Sequence, residues 1–228
     1  MDMIVVKDRI LEFSSIARRV YGLKLLLTIG LTDTSRWFLL NKEKSKYSMH
    51  LKQGGLILDI GSFLGDYTSL VQKRNPQLIF WLFEPIAYHF NVCRDKFKDN
   101  ENVTVYQHAV SADGRSLKMQ LNGLRSKHQP SIFADGLSVP SRSIQEIFDS
   151  VKEVELMKMN IEGMEYECLE QLIRTKSLSK SKYLLIQFHN FEADSQNRRD
   201  AIRESLEIDY TNIFKFDWMW ELWARKSN

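Results

Sequence analysis

The sequence predicts an α/β fold: a doubly wound, mainly parallel seven-stranded sheet with an antiparallel C-terminal strand pair. Three observations carry this. From Gly54 onward, short apolar runs of strand length alternate with segments of helical periodicity, the pattern that lays helices on both faces of a parallel sheet. The last two apolar runs, Tyr210–Phe216 and Met219–Ala224, stand too close together for a parallel crossover of roughly a dozen residues. A hydrophobic fraction of 43% in 228 residues is enough to pack one generous core.

The elements follow in order. Over residues 1–50, Ile4, Val5, Ile10, Leu11, Phe13, Ile16, Ala17, Val20 and Tyr21 recur at roughly helical spacing, and a second helix is expected around Ser35–Asn41. The charged run Lys42–Lys46 then reads as a linker. These are read as N-terminal helices, a cap or extension over a core or pocket rather than a membrane-surface helix. Residues 51–228 form the main domain. Leu56–Ile60 is its first strand, followed by a glycine turn and a helix near Asp66–Lys73. Leu78–Phe83 is the second, closed by Glu84-Pro85, with a helix reaching about Phe97. Val103–Tyr106 is the third. Residues 113–140, with scattered Gly, Ser and Pro, read as an inserted hairpin or loop. Val154–Met159 leads into a helical segment over Glu162–Ile173, and Tyr183–Phe188 is the fifth strand. A polar helix near Asn197–Glu207 precedes the final pair.

Composition removes several classes of function. Thirty-two Lys+Arg against 29 Asp+Glu leave a net charge of +3, too diffuse to argue for nucleic acid as a partner. The two cysteines, Cys93 and Cys168, lie in no CxxC or CxxH spacing, so the expectation is a reducing, cytoplasmic setting. The apolar stretch Leu25–Leu31 is far shorter than the ~20 residues that span a bilayer, and acidic residues precede it. No signal peptide and no stable membrane insertion are expected.

The strongest local signal is Asp59-Ile60-Gly61-Ser62-Phe63-Leu64-Gly65-Asp66-Tyr67-Thr68, directly after the first strand. Ligands of open α/β sheets lie outside the carboxyl ends of the strands, and a glycine there admits close backbone approach. The spacing is not the GxGxxG of a dinucleotide site, which disfavours a nicotinamide-dependent oxidoreductase. Asp59 before the turn argues against a pyrophosphate and for a ligand bearing cationic or hydroxyl groups. Glu84, closing the second strand, is placed to accept hydrogen bonds from both hydroxyls of a ribose.

Four stretches resemble the FkbM-type family of class I S-adenosylmethionine-dependent methyltransferases: LDIGSFLGDYT (58–68), FWLFEPIAYHF (80–90), the Ala109-Val110-Ser111 turn with Gly114, and LMKMNIEGMEYECLE (156–170). LLIQFHNF (184–191) is similar to a further strand of that family. The resemblance covers roughly residues 54–190. It implies a Rossmann-like fold, S-adenosylmethionine as cofactor, and O-methylation of a hydroxyl on a small molecule or sugar. The donor-binding residues it implies are Asp59, Gly61, Ser62, Phe63, Gly65, Tyr67, Thr68, Glu84, Pro85, His108, Ala109 and Asn160. His189 is the preferred general base, because an unperturbed imidazole titrates near neutrality. Glu162 is the competing base, or else orients the acceptor or caps the following helix. Asn160 and Gln187 stand where the family usually carries carboxylates. Hard cations prefer anionic oxygen ligands, so no metal is expected. The same two amides support the alternative of a catalytically silent binding or scaffold domain. His89, His50 and His128 read as surface residues, Cys168 as core, and Trp218, Trp220 and Trp223 as packing residues of the last strands.

Overall fold

The computed structural model describes residues 49–122, 125–128 and 137–227. The helices expected within residues 1–48 therefore lie outside the described residues. The main sheet contains β1 (Leu56–Ile60), β2 (Ile79–Phe83), β3 (Val103–Tyr106), β9 (Val154–Met159), β10 (Ser181–Ile186), β11 (Tyr210–Lys215) and β12 (Glu221–Arg225). Their order is β11-β12-β10-β9-β1-β2-β3. Only β12 runs against its neighbours: it is antiparallel to both β10 and β11, while the remaining pairs are parallel. The fold is thus the predicted doubly wound sheet with its antiparallel end.

Alternation along the strands divides the core in two, because successive side chains point to opposite faces. Leu58, Met157, Leu184 and Trp223 face one side, under α3 (Ile144–Asp149), α4 (Glu165–Arg174) and α5 (Ser195–Asp209). Ile57, Leu156, Leu185 and Leu222 face the other, where α1 (Asp66–Arg74) and α2 (Ala87–Phe97) contribute Val71, Cys93 and Phe97. Each fully buried aliphatic side chain contributes about 1.5–3 kcal/mol. Every residue of β9 is buried, as a strand at the centre of the sheet requires. Cys168 packs in the first core as expected, and Trp223 is its largest fully buried side chain.

One pairing was not foreseen. β4 (Ala109–Ser111) pairs in parallel with β8 (Ser141–Ser143), and α3 follows directly with Ser143 Oγ accepting the Gln145 N–H as its cap. The stretch expected as a hairpin or loop contains β5 (Leu117–Asn122), which pairs antiparallel with both β6 (Arg125–His128) and β7 (Leu137–Val139). Leu117 and Met119 of β5 pack with Ile86, Ala109 and Met164 in a small third cluster beside the sheet edge. No helix among the described residues is long and apolar enough to cross a membrane.

Candidate active site

β1 lies between β2 and β9, so the direction of winding reverses there, and a crevice opens at the carboxyl ends of these strands. It encloses about 450 Å3. Gly61 forms its floor with φ of 80°; a Cβ there would lie 2.0 Å from the Asn160 carbonyl oxygen. Only glycine fits both the left-handed backbone and the close passage of the β9 terminus.

Glu84 stands at the end of β2, almost fully buried. Its Oε2 accepts the Phe63 N–H at 3.0 Å and its Oε1 the Ile86 N–H at 2.9 Å. Burial raises its carboxyl to about 7, outweighing the lowering by the Ile86 and Phe63 N–H groups and by Lys158. Each oxygen retains a second lone-pair direction for a hydroxyl donor. His89, in the first turn of α2, places Nδ1 3.5 Å from Oε1 and its ring edge-on to Phe63. Its burial lowers its own pKa. The expectation of a surface role for His89 is therefore corrected: the helix that follows Glu84-Pro85 turns it inward, beneath the carboxylate.

The opposite wall comes from β9 and β10. After Asn160 the chain turns through Glu162 (φ 55°) and Gly163 (φ 109°) before α4 begins at Glu165. Glu165 is fully buried. Its Oε2 accepts the Gly163 N–H at 2.8 Å, while Oε1 accepts the His189 N–H at 2.7 Å and lies 3.0 Å from His189 Nδ1. His189 Nε2 lies 3.7 Å from Glu162 Oε2. Phe191 stacks on the imidazole with ring centroids 5.1 Å apart and is 44% exposed at the rim.

Of the expected site residues, Gly61, Phe63, Glu84, Pro85, His108, Ala109, Asn160, Glu162 and His189 line this one crevice. Asp59, Ser62, Gly65, Tyr67 and Thr68 are not part of its lining. Asp59 is fully buried, accepts the Thr68 hydroxyl at 2.7 Å and pairs with Lys158 Nζ at 2.8 Å. The cation expected of a ligand is supplied by the protein itself. Gly65 serves packing: with φ of 73°, its missing Cβ would meet the Phe97 ring at 2.7 Å. Ser62 lies beneath the turn, its N–H donating to the Phe83 carbonyl. Tyr67 is core, with Lys158 Nζ 5.9 Å from its ring centre. His89, Glu165 and Phe191 were absent from the expected set.

The family model for the methyltransferase FkbM domain matches residues 59–215. The chain belongs to the FkbM methyltransferase-domain family. Among solved structures, this FkbM domain is similar to a candidate rRNA methylase from Clostridium thermocellum, at 9% identity and a TM-score of 0.50, with 82% of this chain and 97% of that one covered. A candidate methyltransferase from Streptococcus mutans, solved with SAH, matches at 10% identity, a TM-score of 0.50 and the same coverages of 82% and 97%. A fibrillarin/Nop5p complex matches at 11% identity and a TM-score of 0.50, covering 86% of this chain and 81% of that one. At these identities the likeness is one of fold. No curated protein matches the sequence. In the crevice of this FkbM domain, His108 Nδ1 and Asn160 Oδ1 are buried with no hydrogen-bond partner among the described residues. Buried polar atoms left open in this way suit a ligand's polar groups.

Proposed function

We propose that this domain transfers a methyl group from S-adenosylmethionine to a hydroxyl oxygen of a small molecule or sugar. One observation carries the donor assignment: a buried strand-end carboxylate, Glu84, beside the Gly61 turn in a methyltransferase-family fold. In this reading Glu84 accepts both ribose hydroxyls, and the open atoms of His108 and Asn160 receive polar groups of the donor. Phe63, Pro85 and Ala109 supply apolar contact for the nucleoside. When bound, the donor supplies a methyl on a sulfonium, whose carbon–sulfur electron pair returns to sulfur as the acceptor oxygen bonds the carbon.

The chain's own contribution is alignment and proton removal. Holding two reactants in line supplies about 7–11 kcal/mol in favourable cases, and general-base assistance about 10²–10⁴-fold in rate. His189 takes the hydroxyl proton, and Glu162, half-buried in the same wall, orients the acceptor. Among the described residues, the amides of Asn160 and Gln187 leave Glu162 as the one carboxylate lining this wall, fewer anionic oxygens than a hard cation favours, so in this reading the reaction needs no metal. The free, buried thiols Cys93 and Cys168 suit a reducing compartment, and we place the reaction in the cytoplasm.

The test is transfer of label from methyl-labelled S-adenosylmethionine into a metabolite extract, with RNA as a parallel substrate and products read by mass spectrometry. A labelled methyl ether in the small-molecule fraction supports the reading. Label confined to RNA moves the acceptor to nucleic acid. Donor binding without label in either pool favours the silent-domain alternative.

A further inference from the structure

We propose that Glu165 is the positioning residue of a Glu165–His189 dyad, holding the Nδ1 proton of His189 so that Nε2 is the proton acceptor at the crevice. The inference rests on the methyl-transfer reading for its chemistry, and on geometry for the dyad itself.

Glu165 is the first residue of α4 and has no solvent exposure, yet three donors converge on it. Gly163 N–H reaches Oε2 at 2.8 Å, and His189 N–H reaches Oε1 at 2.7 Å. The third contact is His189 Nδ1, 3.0 Å from the same Oε1. A carboxylate only accepts, so this contact needs the proton on Nδ1. With the proton there, Nε2 carries the lone pair of a neutral imidazole. Nε2 is the nitrogen on the Glu162 side, 3.7 Å from Oε2 of a residue that lines the crevice.

The main chain around the ring is fixed too. The Tyr166 hydroxyl donates to the His189 carbonyl at 2.8 Å, and the Arg198 guanidinium lies 4.9 Å from the Tyr166 ring centre. Glu162 and Gly163 both take positive φ, and this turn brings Glu165 under the imidazole. Among the described residues, the titratable groups facing His189 include Glu162 on the β9–α4 turn, and Glu165 and Tyr166 on α4.

In the transfer, the oxygen–hydrogen bond of the acceptor breaks as its proton moves to Nε2. The resulting imidazolium donates from Nδ1 to a carboxylate that is already in place and cannot relax into solvent. A buried carboxylate on the far nitrogen thus does two things: it selects the tautomer and steadies the charge that forms. A purely structural Glu165 would do neither.

The experiment is nitrogen-15 NMR of histidine-labelled full-length protein, with His189→Ala identifying the resonance. The expected result is a His189 ring protonated at Nδ1 and bare at Nε2 near neutral pH. Protonation at Nε2 instead would overturn the proposal without any variant at Glu165. In folded Glu165→Gln, the His189 titration midpoint should move about one pH unit lower or more, since the neighbouring charge is gone. Glu162→Gln should preserve the tautomer. An unmoved midpoint in Glu165→Gln contradicts the dyad. With an acceptor in hand, Glu165→Gln should lower turnover by about 10²-fold or more and shift the rising limb of the pH–rate profile. Loss of donor binding in calorimetry would sink the methyltransferase reading while leaving the tautomer intact; a wrong tautomer would do the reverse.

Discussion

Lys158 Nζ lies 2.8 Å from Asp59 Oδ1 and 2.6 Å from the Gly61 carbonyl oxygen, tying the ends of β9 and β1 together beneath the glycine turn. Both side chains are buried, so each charge is stabilised chiefly by the other. Lys158→Met leaves Asp59 an uncompensated buried charge and should cost about 3–5 kcal/mol in denaturant unfolding. Pairing it with Asp59→Asn removes that charge and keeps an acceptor for Thr68, so most of the loss should return. A Lys158→Met variant within 1 kcal/mol of the wild type would show that the pair is dispensable.

Glu84 makes the domain's stability depend on pH. Its folded pKa of about 7 exceeds the ordinary 4.5, so between these values the native state binds more protons than the unfolded chain. The contribution of this group is fully present below about 4.5 and lost as pH rises through about 7. Relative to wild type, Glu84→Gln should therefore gain roughly 3 kcal/mol between pH 4.5 and pH 8. Parallel stability–pH curves for the two proteins would refute the buried, protonated carboxyl.

The same group should couple donor binding to protons. A neutral carboxyl accepts more weakly than the carboxylate and turns one oxygen into a donor, so S-adenosylhomocysteine affinity should weaken as pH falls below about 7. Calorimetry in buffers of differing ionisation enthalpy should register proton release on binding near pH 6.5. Uptake of protons, or none exchanged, would count against Glu84 as the ribose partner.

Gly61→Ala tests the turn. The added Cβ meets a main-chain oxygen rather than a pliable side chain, and φ of 80° disfavours any L residue. The two effects together should cost more than about 2 kcal/mol and widen the β1–β9 gap. Thermal melts and donor binding read the outcome; a variant that matches wild type in both would place the loop differently.

Treatment with a chelator should leave donor binding and turnover unchanged, and magnesium should not raise either. Activity abolished by chelation and restored by magnesium would mean that Glu162 and its neighbours hold a cation after all.

Much of the fold was legible because the strands are apolar runs bounded by turn residues, as in β9, whose Val154–Met159 limits were read directly. The fifth strand was placed too late in the chain. Gln187 and Phe188 leave regular pairing after Ile186, yet Phe188 stays buried, and apolarity reports burial rather than pairing. The helix expected from Glu162 begins at Glu165 because Glu162 and Gly163 adopt positive φ. β4 and β8 have three residues each, too few to show a period. Asp59 illustrates the limit at the site. An acid ending a strand reads alike whether it faces a ligand or the core, and its partner Lys158 lies on another strand. Glu165 left a fainter trace, since its spacing from Glu162 and Gly163 has meaning only once the turn between them is known.

Calorimetric titration of S-adenosylhomocysteine into the wild-type domain and into Glu84→Ala tests the central claim most directly. The wild type should bind one equivalent saturably, with NAD as a silent control. Glu84→Ala should weaken binding by at least tenfold, since hydrogen bonds to a charged group contribute about 1.5–3 kcal/mol each. No binding by the folded wild type, or equal affinity in Glu84→Ala, would contradict the account.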